Sequence, residues 1–161
     1  MSQTRRTFVL SALVLPLVGA LSCGEAAPSA LAQSDRCAHC GMRIAADSPF
    51  RTGATSASGG ASSFDTPKCL FRWLQSSAGS GARDIWALDY YRRERRDATT
   101  LFLVLGSDVL GPMGHDLVPV EGRERADRFS SEHHGTRVLA FSEITPAIVD
   151  PLFGGAGHHH H

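Results

Sequence analysis

Six consecutive residues, Cys37-Ala38-His39-Cys40-Gly41-Met42, carry two thiols, an imidazole and a thioether. Thiolate and thioether sulfur are soft donors that select Cu(I), whereas imidazole serves several transition metals. A methionine beside a CxxC therefore points to copper before zinc. The two-residue spacing lets both sulfurs face one ion, and it equally allows a disulfide or half of a zinc knuckle with Met42 as a bystander. Far downstream, Met113 stands in the turn Gly111-Pro112-Met113-Gly114. A turn lies on the surface, which is an odd place for a core residue. His115 follows two residues later, so the second block offers one soft donor and one imidazole. The candidate ligands are Cys37, Cys40, Met42, Met113 and His115. His39 is read as facing outward. Cys69, beside Leu70 in a predicted helix, is read as a small buried hydrophobe. His133-His134 closes a second helix, where cationic side chains suit the dipole.

The elements around these blocks repeat a rhythm. Residues 51–64 are rich in Ser, Ala, Thr and Gly, with Ser58-Gly59-Gly60 as a turn, and predict a weak hairpin. Asp65 or Thr66 then caps a helix with Pro67 at its first position. Leu70, Trp73 and Leu74 form its apolar stripe, and residues 76–79 end it. Trp86, Leu88 and Tyr90 alternate as in a half-buried strand. The second half opens on the buried strand Leu101-Phe102-Leu103-Val104-Leu105. Leu117-Val118-Pro119-Val120 is a short strand placed at an edge by Pro119. A helix over 122–134 carries Ala126, Phe129 and His133 on one face and stops at Gly135. Val138-Leu139-Ala140-Phe141 closes the unit. Each half thus reads as strands, helix, strand, which predicts an α+β fold of two small units and suggests an old duplication.

The first 22 residues read as a signal peptide. Arg5-Arg6 precede an apolar run from 8 to 21 that is too short and interrupted to span a membrane. Thr4-Arg5-Arg6-Thr7-Phe8-Val9 also has the twin-arginine form. Ala20-Leu21-Ser22-Cys23 looks like a lipobox, and Ala30-Leu31-Ala32 offers an ordinary cleavage site further on. Lipidation at Cys23 is favoured, because that cysteine abuts the apolar run. It leaves Cys37, Cys40 and Cys69, an odd count that argues against a disulfide framework. Residues 24–36 have no apolar period and read as a tether reaching roughly 40 Å when extended. The domain is placed at 37–145, and residues 146–161 are read as a flexible tail. Its closing histidines, 158–161, are either a purification-tag remnant or a metal-collecting tail.

The whole chain has 16 basic and 16 acidic residues. Removing 1–22 takes away Arg5 and Arg6 and leaves a formal charge of two negative, so no nucleic-acid partner is implied. The basic run at 92–96 reads as a solvated loop.

With these pieces in order, the chain resembles the NosL family of periplasmic copper lipoproteins. The resemblance runs through Cys37-Ala38-His39-Cys40-Gly41-Met42, then Phe64-Asp65 with Leu70-Phe71, then Gly111-Pro112-Met113-Gly114-His115-Asp116-Leu117-Val118-Pro119. It continues through Ala126-Asp127-Arg128-Phe129, His134-Gly135 and Val138-Leu139-Ala140-Phe141. It implies a Cu(I)-binding chaperone on the periplasmic face of a membrane, supplying nitrous oxide reductase. It also implies two strand-strand-helix-strand units, as in an organomercury-cleaving enzyme. One departure is the hairpin at 51–63, which lacks the large β-branched residues such strands favour.

Two other classes compete. A thiol oxidoreductase needs a thiol at a helix N-terminus, and no helix follows this CxxC directly; cleavage of an organomercurial, with Asp65 as an acid, is fold analogy alone. A structural zinc site normally takes four ligands in two knuckles, and the sequence holds no second CxxC. The expectation is a carrier, not an enzyme.

Overall fold

Thr66 sets the frame of the first unit by local chemistry. In the computed structural model, which describes residues 35–154, Thr66 is extended and its hydroxyl accepts the Cys69 amide. Pro67 follows at the first helical position, where its missing N–H is no loss, and helix α1 runs Pro67–Leu74. Strands β1 (Thr52–Thr55) and β2 (Ala61–Phe64) precede it, and β3 (Arg83–Leu88) follows. They form an antiparallel sheet in the order β2-β1-β3, extended by β4 (Arg95–Asp97).

The second unit repeats the plan with β5 (Leu101–Leu105), β6 (Leu117–Glu121), helix α2 (Arg123–Glu132) and β7 (Arg137–Ala140). Its antiparallel order, β6-β5-β7, again puts the first strand in the centre, the second on one side and the strand after the helix on the other. The predicted α+β fold of two strand-strand-helix-strand units is what the structure contains.

Helix α1 lies between the sheets. Cys69, Leu70 and Trp73 pack with Ala54 and Phe64 of the first sheet, while Phe71 packs with Leu103, Leu117 and Leu139 of the second. Helix α2 covers the other face of that second sheet, where Ala126 and Phe129 meet Val104, Val118 and Val120. The central strand β5 is therefore covered on both faces, which accounts for its unbroken apolar run. Asp89, fully buried, ties the sheets together: its carboxylate accepts the Glu121 amide at 2.7 Å and the Arg92 amide at 2.8 Å. The Pro119 carbonyl on edge strand β6 accepts the Tyr90 amide at 2.9 Å.

Several elements differ from the sequence reading. At Gly53 the small residue reflects packing, because a Cβ there would meet the Trp86 indole at 2.6 Å. β3 ends at Leu88, and Tyr90 belongs to the turn after it. The basic run is not a solvated loop throughout. Arg95 opens β4 and lies over the Trp86 ring, while Arg92 and Arg96 reach the Glu121 carboxylate at 2.8 and 3.1 Å. At the end of α2, His134 takes the left-handed φ of 55°, one residue before the expected stop at Gly135. Packing also continues beyond residue 145, with helix α3 (Pro146–Val149) and a 3-10 turn over Asp150–Phe153. Val149 is buried, and Arg72 pairs with Asp150 at 3.1 Å. The leader, Cys23 and the histidines at 158–161 lie outside the described residues. Among the described residues no helix is long and apolar enough to cross a membrane.

Candidate metal centre

The cysteine block folds as a tight loop before β1. The Cys37 amide donates to the Met42 carbonyl at 2.8 Å, and the Gly41 amide to the Cys37 carbonyl at 2.9 Å. Gly41 has a φ of 76°, open to a residue without a Cβ. The Ala38 amide donates to the Ser63 carbonyl of β2 at 2.8 Å and pins the loop to the first sheet. Asp65 and Cys69, at the end of β2 and in the first turn of α1, then face the loop. The Cys37, Cys40 and Cys69 sulfurs and an Asp65 oxygen all lie within 4.8 Å of one another.

The group fits a metal ion on two counts. All three cysteines are free thiols, with Cys37 and Cys69 buried and Cys40 half-buried. The Asp65 carboxylate is buried, with Oδ1 accepting the Cys40 thiol at 3.6 Å and Oδ2 left without a hydrogen-bond partner. A buried carboxylate oxygen without a partner is costly unless something else compensates it.

Met113 joins this group from the second unit. Its turn is closed by two bonds between Gly111 and Gly114, at 2.8 and 3.0 Å. The half-buried Met113 packs against the cysteine cluster, and its sulfur lies 4.0 Å from that of Cys69. The other two candidates stand differently. Met42 is 42 % exposed, and its carbonyl holds the loop. His115 is exposed, lines a cavity of about 570 Å³ with Lys68, Met113 and Phe153, and uses its carbonyl to accept from Lys68. His39 is exposed, with its ring edge-on to Phe153 at 5.5 Å.

The thiols divide in acidity. A hydrogen bond from Cys69 favours thiolate at Cys37 and brings it down to about 6, although burial opposes ionisation. Cys69 is correspondingly pushed up, first by that bond and then by burial. Burial also raises Cys40, to about 11. His39 is lowered by burial and by the nearby Arg72 charge. These directions favour a thiolate at Cys37 beside protonated thiols at Cys40 and Cys69.

The sequence reading missed two members, Asp65 and Cys69. The one signal that could have found Cys69 is positional: Thr66-Pro67 fixes the helix start and so puts that thiol in the first turn.

Two units of one plan, with sulfur from both brought to a shared point, define the class as an α+β protein with a sulfur-rich candidate metal site. The chain belongs to the NosL family, whose profile it matches over residues 28–149. It is 30 % identical over 152 residues to the copper-binding lipoprotein NosL of Stutzerimonas stutzeri, covering 84 % of this chain and 79 % of that one. Its fold is similar to the crystal structure of the copper chaperone NosL from Shewanella denitrificans. The TM-score is 0.63 at 23 % identity, over 73 % of this chain and 95 % of the other.

Proposed function

We propose that this protein is a Cu(I) metallochaperone on the periplasmic face of a bacterial membrane, and that it delivers copper to a periplasmic enzyme, nitrous oxide reductase foremost. The observation that carries the reading is the approach of the Met113 thioether to a three-thiol cluster from the other half of the chain. Soft thiolate and thioether donors suit Cu(I), and a thioether adds nothing that zinc requires. Cys37, Cys40, Cys69 and Met113 supply the donors, more than Cu(I) needs at once, so the ion can shed one ligand while it accepts one from a partner. Met42 and His115, exposed on the two blocks, are the donors placed to meet that partner. The role is carriage without turnover.

Export and anchoring complete the reading. Residues 1–22 direct export, twin-arginine export included, and Cys23 carries lipid. Intact mass of the native membrane fraction tests this: a lipid-modified Cys23 is expected, and a mature N-terminus at Gln33 would leave an unanchored protein.

Asp65 favours a second reading, since three cysteines and one carboxylate make a four-ligand set that also suits zinc. Anaerobic titration of the domain with Cu(I) against a chelator of known affinity, repeated with Zn(II), separates the two. The chaperone reading expects the tighter site for Cu(I). Deleting the gene is expected to lower the copper content of nitrous oxide reductase in low copper, and a fully metallated client would end the delivery role.

A further inference from the structure

We propose that Lys68 is the positioning residue of the metal site, holding the Met113 thioether against the cysteine cluster. The inference rests on the copper reading above and names the group that assembles its two halves. Lys68 is the second residue of α1, beside Cys69, and its side chain is 1 % exposed. An ammonium has three protons to donate and no acceptor. Here they go to the carbonyls of Met113 at 2.8 Å, His115 at 2.9 Å and Leu152 at 3.2 Å. Asp116 holds the same residue at both ends. Its Oδ1 accepts the Lys68 amide at 3.0 Å, and its Oδ2 lies 4.0 Å from the Lys68 Nζ.

Two of the three carbonyls flank Gly114, which has a φ of 84° and open space around it. Besides the Gly111–Gly114 bonds and the packing of Met113 itself, the backbone of this turn is held by Lys68, which Asp116 in turn holds. The third carbonyl draws in the C-terminal turn, whose Phe153 ring lies 5.5 Å from the ammonium and meets His39 of the cysteine loop. Three segments far apart in sequence thus meet on one buried cation. Burying an ion pair is seldom a gain in stability over an apolar pair of similar volume. A fold needing only bulk here would be served by methionine. What the lysine adds is a fixed place for the Met113 backbone, and so for its sulfur.

The test is a double-mutant cycle on Cu(I) affinity, measured by chelator competition with Lys68→Met, Met113→Leu and the two combined. Lys68→Met is expected to weaken binding about tenfold, and to weaken it no further once Met113 is already leucine, as for two groups acting through one contact. The resonance of an isotope-labelled Met113 methyl is expected to move in apo Lys68→Met and to respond less to Cu(I), a change that general loss of stability does not produce. Lys68→Met with Asp116→Asn removes both charges and serves if the single variant does not fold. Wild-type affinity in a folded Lys68 variant, or losses that simply add, would overturn the proposal. Failure of both variants to fold would overturn it too, since Lys68 would then serve the fold and not the ligand set. If the wild type takes up no Cu(I), the copper reading falls instead, and the apo methyl resonance still decides whether Lys68 places Met113.

Discussion

The Cys69 sulfur lies 4.0 Å from the Met113 sulfur, although 44 residues separate them in the chain. Cys69 belongs to the helix of the first unit and Met113 to the turn between β5 and β6 of the second. The contact is therefore made only when the two units dock, with α1 between their sheets.

Replacing Met113 with Leu keeps volume and removes the thioether. Copper affinity is expected to fall while stability stays within about 1.5 kcal/mol of the parent, as volume-conserving apolar exchanges do. Chelator competition and urea unfolding read the two quantities. Unchanged affinity would remove the second unit from the site.

Cys69→Ala should act on Cys37 as well as on copper. The Cys69 hydrogen bond is the largest cause of the lowered Cys37 value, so its loss should move that ionisation up from about 6 toward the ordinary 9.0. Ultraviolet absorbance of thiolate against pH, with Cys37→Ser as the blank, measures the shift. Stability should fall by about 1 kcal/mol for the small void left behind. A midpoint still near 6 would count against the bond.

Copper binding should release protons in a pattern set by these acidities. At neutral pH Cys37 is already ionised, whereas Cys40 and Cys69 hold their protons. Binding through all three sulfurs then displaces two protons, and affinity should rise about a hundredfold per pH unit between 7 and 9. Below the Cys37 value of about 6 a third proton must leave, so the slope steepens. The sign for folding follows: thiolate at Cys37 contributes fully above 9.0 and is lost as pH falls through about 6. Affinity independent of pH would exclude Cys40 and Cys69 as ligands.

Gly53→Ala tests why the first hairpin is built from small residues. Its new Cβ would fall 2.6 Å from the Trp86 ring, so the indole must shift from under Arg95. A loss of roughly 1–3 kcal/mol is expected, as for other overpacked sites, read by urea unfolding. Full stability would mean that the sheet can open there at no cost.

Much of the architecture was legible because both units obey simple periodicities. Thr66-Pro67 marks the first helix, the apolar run at 101–105 marks a strand covered on both faces, and Pro119 marks an edge. β4 was hidden because three of the five residues from 92 to 96 that look like a solvated charge run engage Glu121 or Trp86, partners distant in sequence. Of the site, the CxxC and the Pro-Met-Gly turn stood out by composition. Cys69 did not, because a buried thiol among Leu70, Phe71 and Trp73 has the pattern of ordinary core. Lys68 was less visible still: its role depends on three carbonyls 45, 47 and 84 residues away, which no local pattern records.

The hydrogen bond from the Ala38 amide to the Ser63 carbonyl has a consequence beyond placing Cys37. β2 is the outermost strand of its sheet, and an outermost strand with unpaired carbonyls is a template on which another chain can add. The cysteine loop lies along that border and uses one of its acceptors. An ion that cross-links Cys37 and Cys40 to Cys69 would therefore also fasten a guard rail, making the loaded protein the form better protected against self-association.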